Sequence, residues 1–234
     1  ALADAIVASE EFAEWLAAEL SGKTGPSGVG RDAYTWYMHN VVLTPYSWEE
    51  QVTLMRRELA RSHATSWPEE NRNRGLPELE RIASPEEYDR RLDESVARYM
   101  AFLEEEEVET VEPWMEAALA AVSGSFTPAE PDEIRNFFLE VIYRDPDAFR
   151  PHMHHWIELA RMREDPHPSP IRRVPGLYNL WDHRSEGLAT GVEEWFMHLG
   201  LLADNSPRAR ELVWIMVAQR AARATSGLML HGHE

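Results

Sequence analysis

The chain has 234 residues, 44% of them hydrophobic and 27% charged, long enough for a substantial core and too apolar for a disordered chain. Its formal net charge of −18 argues against nucleic acid and anionic membranes as partners, and no apolar run reaches the ~18 residues of a bilayer span. Cysteine is absent, which excludes disulfides, thiolate metal sites and cysteine nucleophiles and leaves His, Asp and Glu to hold any metal.

Apolar residues recur at helical spacing in nearly every segment and no alternating strand stands out, so an all-α fold is expected, a single multi-helix domain over 1–234. Nine Trp predict a well-filled interior. The first helix runs to about Leu20 through Phe12, Trp15 and Leu16, and a Gly-rich connection follows over 21–30. That connection lacks the Walker pattern and a preceding strand, so it is no phosphate loop. A helix from Asp32 to Val42 stops near Pro45, and its cluster Tyr34, Trp36, Tyr37 and His39 reads as core. Ser47 with Glu50 forms a capping box for the next helix, and the stretch Trp67 to Leu79 is broken by Pro68, Gly75 and Pro77. Ser84-Pro85 starts a helix reaching the solvated Glu104–Glu107 cluster.

Helices over Pro113–Val122, Pro131–Tyr143 and Asp147 to about Arg163 come next. A Pro-rich corner at 166–170 then leads to a long helix from about Gly176 to Leu202. Arg172 and Arg173, just after the corner, are expected to form ion pairs. Ser206-Pro207 caps the last helix, which is apolar on every side over Leu212 to Ala218 and is therefore expected to be central. No signal peptide is visible, so a cytoplasmic location is expected, and the start at Ala1 reads as a processed, trimmed or partial chain.

Two constellations carry candidate chemistry. In Pro151-His152-Met153-His154-His155-Trp156-Ile157-Glu158, helical spacing puts His152 with His155 and His154 with Glu158 on shared faces. Neutral imidazole with carboxylate suits zinc, iron or manganese, and the alternative is a group of surface or capping histidines. On the following long helix Tyr178, Asp182, Glu186, Ala189 and Glu193 form one stripe, opposite Leu177, Trp181, Leu188, Val192, Trp195 and Leu199. The acids either face water or line a site, and Gly187, Ala189 and Gly191 beside them mark close approach by a backbone or a ligand. Arg220 and Arg223 on the last helix need partners, and Glu186, Glu193 and Glu194 are the natural ones. His231 and His233 end the chain near or away from this site.

At Glu186-Gly187-Leu188-Ala189-Thr190…Glu193 and Arg220-Ala221-Ala222-Arg223…Gly227-Leu228 the chain resembles the bacterial domain-of-unknown-function family 885. Those helical proteins are related to zinc metallopeptidases of the carboxypeptidase Taq type. The resemblance runs over about Arg144 to His231, and more loosely over Tyr34 to Pro77. It aligns His154 and His155 with the closing His-His of the family's His-Glu-x-x-Pro-Gly-His-His motif, and Glu186 with a glutamate metal ligand. The opening His-Glu falls on Ala148 and Phe149, and the terminal histidine on Met229. Family members are longer, so the chain resembles a part or a shortened relative of one.

The resemblance implies a metallopeptidase-like scaffold that lacks one of the family's zinc ligands and its general base. A rearranged site would take His152, His155, Glu186 and Glu193 as ligands to a divalent metal, zinc first. Glu194 or His154 would transfer protons, and Arg220, Arg223 and Tyr178 would bind substrate. The expected function is a metal-dependent enzyme, hydrolase-like, acting on a small acidic or peptide-like substrate. Two alternatives stand beside it: a non-catalytic helical protein whose His/Glu/Arg network is structural, and an assembly module or homo-oligomer. Converging ligands favour the first, an arginine bridging Glu186 and Glu193 with no cavity the second, and a large exposed apolar face the third.

Overall fold

The computed structural model describes residues 2–128, 135–174, 178–203 and 208–234, and for 171 and 178–183 the backbone alone. All regular structure among the described residues is helical. The first helix, α1 (Leu2–Glu19), ends in a 3₁₀ turn over Leu20–Gly22. None of its residues is buried, and Leu2, Ile6, Phe12, Trp15 and Leu16 face solvent. Such an exposed apolar face is the feature anticipated for an assembly module.

Helix α2 (Arg31–Tyr37) continues into a π-turn over Met38–Val42 that Leu43 stops in the left-handed region at φ 61°. The aromatic cluster here is not core: Trp36 and Tyr37 are exposed, and only Tyr34 turns inward, against the His231 ring. Helix α3 (Trp48–Asn73) opens with the expected capping box, Glu50 N–H donating to Ser47 Oγ at 3.2 Å and Ser47 N–H to Glu50 Oε2 at 2.7 Å. It does not break at Pro68, which sits inside the helix. The turn beyond that proline is held from outside, by the Glu69–Arg210 ion pair and the hydrogen bond from Asn73 Nδ2 to Glu211, so tertiary contacts offset the lost backbone donor.

Helix α4 (Pro85–Glu105) begins at the Ser84 cap, and α5 (Pro113–Ala120) and α6 (Phe137–Arg144) follow. Residues 129–134, where the α6 helix was expected to start, lie outside the described set. The segment expected as one helix from Asp147 is divided. Helix α7 (Pro146–Phe149), capped by Asp145, passes into a 3₁₀ turn over Arg150–Met153 and then α8 (His154–Glu164). The Pro-rich corner leads through α9 (Pro170–Arg173), where Arg172 lies against His167 rather than a carboxylate, to α10 (Tyr178–Leu199). The last helix is α11 (Ala209–Gly232), and the proposed Ser206-Pro207 cap lies outside the described residues.

Helices α3 and α11 form the principal antiparallel pair. Trp48 Nε1–H donates to Leu228 O at 2.6 Å at one end and Glu69 meets Arg210 at the other. As its all-round apolar sequence predicts, α11 is central, with Val213, Trp214, Met216 and Val217 buried. Two large core clusters meet at Met153 and Leu201, one built on α4, α5, α8 and α10 and the other on α6, α7 and α11. The chain's two ends meet where Gly30 N–H donates to His231 O at 2.9 Å. A side chain on Gly28 would run into the Leu230 carbonyl, so glycine is required there.

Candidate metal centre and adjoining cleft

The 3₁₀ turn before α8 sets the site's geometry. His152 lies in that turn and His155 three residues on in the first turn of α8, so the two share a face with ring centroids 5.2 Å apart. Both present Nε2 to Glu186 of the antiparallel α10, His152 at 3.8 Å from Oε2 and His155 at 3.6 Å from Oε1. These three donor atoms lie within 4.8 Å of one another, the one such His/Asp/Glu group among the described residues.

The separations are longer than hydrogen bonds. They lie near the ~3.3 Å edge of a tetrahedral set built from metal–ligand bonds of about 2.0–2.1 Å. Burial pushes His155 below the usual imidazole value, with His152 beside it adding to the shift, so this ring stays neutral and able to ligate at neutral pH. Two imidazoles and a carboxylate are the donors expected for zinc or a related divalent ion, so the residues fit the group the sequence anticipated.

Glu193 plays a different part from the ligand role expected of it. It is fully buried, and both its oxygens are taken by the fork of Arg220, with Nη1–Oε2 at 2.5 Å and Nη2–Oε1 at 2.7 Å. Its Oε1 also lies 2.8 Å from His152 Nδ1. Two lone pairs would repel at that distance, so Nδ1 carries a proton toward Glu193 while Nε2 faces Glu186. Arg220 Nη2 is 3.5 Å from the same nitrogen, too far to compete. The guanidinium rests on the Phe138 ring at 4.8 Å, and His152 on Phe149 at 4.9 Å. Glu193 and Arg220 therefore orient His152 rather than extend the donor set.

His154, a candidate proton-transfer group, is not in the site. The α-helical rotation of about 100° per residue turns it into the core. There Nδ1 meets Tyr99 OH at 2.9 Å, Nε2 lies 3.4 Å from Glu109, and the ring packs edge-on against Phe196. Burial drives its pKa down to about 4. Its expected partner Glu158 instead pairs with Arg161 and Arg184. Glu194, the other proton-transfer candidate, is eight residues beyond Glu186, about 12 Å along the helix. It is held by Arg61 through bonds of 2.8 and 2.6 Å, which lower its pKa.

Two cavities meet at the cluster. A groove of about 760 Å³ runs between α3, α10 and α11, lined by Met55, Val217, Ala221 and Ala224 and ending at Glu58 and Glu194. A second cavity of about 450 Å³ is walled by Phe138 and Phe149. Glu186, Thr190, Arg220 and Arg223 line both. Gly187 and Gly191 open onto the groove, and among the described residues a Cβ at either would meet nothing within 4 Å. Arg223 is exposed to this cleft, with its guanidinium 5.9 Å from the Phe138 ring and no carboxylate partner among the described residues. The side chain of Tyr178 lies outside the described set.

His231 and His233 stay out of the site. They hold the 28–34 segment, and His233 Nε2 is 2.9 Å from Gly28 O. Sequence reasoning missed Phe138, Phe149, Met55 and Arg61. Arg61 meets Glu194 across 133 residues, and no local pattern marks such a pair.

The chain matches no protein-family model, no curated protein and no solved structure.

Proposed function

We propose that this protein is a divalent-metal-dependent enzyme, hydrolase-like, whose metal is held by His152, His155 and Glu186. The observation that carries the reading is the convergence of two imidazole Nε2 atoms on one exposed carboxylate at the junction of two cavities. Arg220 bridges Glu193 alone and leaves Glu186 unclaimed beside an open cleft, which distinguishes the arrangement from a closed structural network. Three protein ligands with an open side are the pattern of catalytic rather than structural zinc.

A divalent ion in this position supplies Lewis acidity toward a carbonyl oxygen or a bound water. The chain's own residues do the rest. Glu193, itself held by Arg220, fixes the orientation of His152 through Nδ1. Phe138 and Phe149 shield one side of the donors from water. Arg223 offers a cation for an acidic group on the substrate. With His154 in the core and Glu194 about two turns away, proton transfer falls to solvent or to the second oxygen of Glu186.

The test is metal analysis of protein purified without a histidine tag, with zinc affinity measured by chelator competition. One ion per chain, lost in the His152→Ala/His155→Ala double variant while its circular dichroism is unchanged, is the expected result. Wild-type protein that holds no metal, or a double variant that binds zinc as wild type does, overturns the proposal.

A further inference from the structure

The two arms of the cleft differ in chemistry, and the difference specifies a substrate class. On the Phe138 side the rim is cationic. Arg220 is spent on Glu193, but Arg223 has no carboxylate partner among the described residues and stands over the aromatic ring, where an anionic head group would find it. The other arm shares Glu186, Arg220 and Arg223 at that rim and is apolar along its middle, before Glu58 and Glu194. Met55, Val217, Ala221 and Ala224 face the open backbone of Gly187 and Gly191, and Thr190 is the one neutral polar side chain along it.

The groove's walls are helices whose backbone amides are used within the helices themselves. A peptide laid there would leave its own amides without partners, at a cost of a few kcal/mol each, whereas a hydrocarbon tail has none to satisfy. At the far end the Glu58 and Glu194 carboxylates are already bound by Arg61, so they do not call for a ligand cation. From Glu186 to Glu194 the groove extends about 12 Å, the length of roughly ten methylenes at the spacing tetrahedral C–C bonds allow. Its volume of about 760 Å³ is that of a small-molecule site.

Resting on the metal-dependent reading above, we infer that the substrate is an N-acylated amino acid. The carboxylate is bound by Arg223, the amide lies over His152, His155 and Glu186, and the acyl tail fills the groove along Gly187 and Gly191. Hydrolysis of that amide adds the oxygen of water to the acyl carbon and breaks the C–N bond. The water's protons are shared between the leaving amine and the new acid, giving a fatty acid and a free amino acid.

The experiment is calorimetric titration of the full chain, with and without added zinc, using N-acetyl-, N-hexanoyl- and N-decanoylglycine. Affinity is expected to rise about two- to fourfold per added methylene as apolar area is buried. Gly191→Leu places a side chain in open space, so it folds, and it should flatten the chain-length dependence. Arg223→Gln should weaken all three ligands about tenfold while leaving decanamide, which lacks the carboxylate, at its wild-type affinity. Affinity independent of chain length, or a dependence that survives Gly191→Leu, overturns the inference. Zinc content of the same samples separates the two readings. Bound zinc without acyl preference sinks the substrate class alone, and acyl preference without zinc sinks the metal while keeping the binding site.

Discussion

His152 and His155 open on a cleft, whereas His154, between them in sequence, is sealed in the core. The core histidine has Nδ1 engaged by Tyr99 OH and Nε2 lying 3.4 Å from Glu109, and burial holds it neutral down to about pH 4. His152 has only Nδ1 engaged, by Glu193, and its Nε2 points to Glu186 across a gap too wide for a hydrogen bond. A candidate ligand is thus distinguished from a structural histidine by a second nitrogen that opens on a cleft, and residue type and spacing alone do not reveal which way that nitrogen faces.

The sharpest way to break this contrast is to exchange the two sides. Replacing His152 and His155 by Ala should abolish zinc binding with little change in melting temperature. His154→Ala should leave zinc affinity unchanged and cost about 2–4 kcal/mol in urea unfolding through the core cavity it leaves. Loss of zinc binding in the His154 variant would erase the distinction.

Glu193→Gln tests the link between the sides, because Glu193 is buried like a core residue but serves the cleft. Removing its charge strands Arg220 and should destabilise the fold by about 3 kcal/mol. It should also weaken zinc by about 10- to 100-fold, since His152 loses its orienting partner. Unfolding and chelator competition on the same variant read the two effects separately.

Acid unfolding probes the core side. His154 titrates near 6.5 when unfolded and near 4 when folded, so between these values the unfolded chain binds the extra proton. Stability should therefore fall as pH drops from about 6.5 to 4, by up to about 3 kcal/mol. Burial raises the pKa of Glu109, which works in the opposite sense and trims that slope. A flat profile that His154→Gln does not alter would show that this histidine is not held neutral. The smallest expected effect is that of Tyr99→Phe, about 1–2 kcal/mol for the unpaired His154 nitrogen, with zinc affinity unmoved.

Much of the scaffold was legible because its signals are local. The Ser47–Glu50 box, the Ser84-Pro85 start and the apolar girdle of α11 depend on residues within a turn or two, and each appears where the sequence placed it. Of the site, helical spacing announced the His152/His155 pair, and the need of a buried guanidinium for a partner named Glu193 as one of three acids for Arg220. The exceptions arose where distant groups intervene. The helix through Pro68 is held by α11, and the Tyr34–Tyr37 cluster lies mostly exposed although its composition suggested core. Among the described residues Arg223 has no carboxylate partner: Glu193 is taken by Arg220, Glu194 by Arg61, and Glu186 faces His152 and His155.

The sequence by itself determined an all-helical chain without cysteine chemistry and the identity of the side chains available to a metal. Helix periodicity and caps are read within a few residues, and composition needs no folding at all. Only the tertiary structure decided which of those side chains face one another. The 3₁₀ turn at Arg150–Met153 and the antiparallel crossing of α8 and α10 bring His152 and His155 to Glu186, while burial commits Glu193 to Arg220 and His154 to Tyr99. A buried polar group takes whichever partner packing brings within about 3 Å, and that choice is made between helices, beyond the reach of any local pattern.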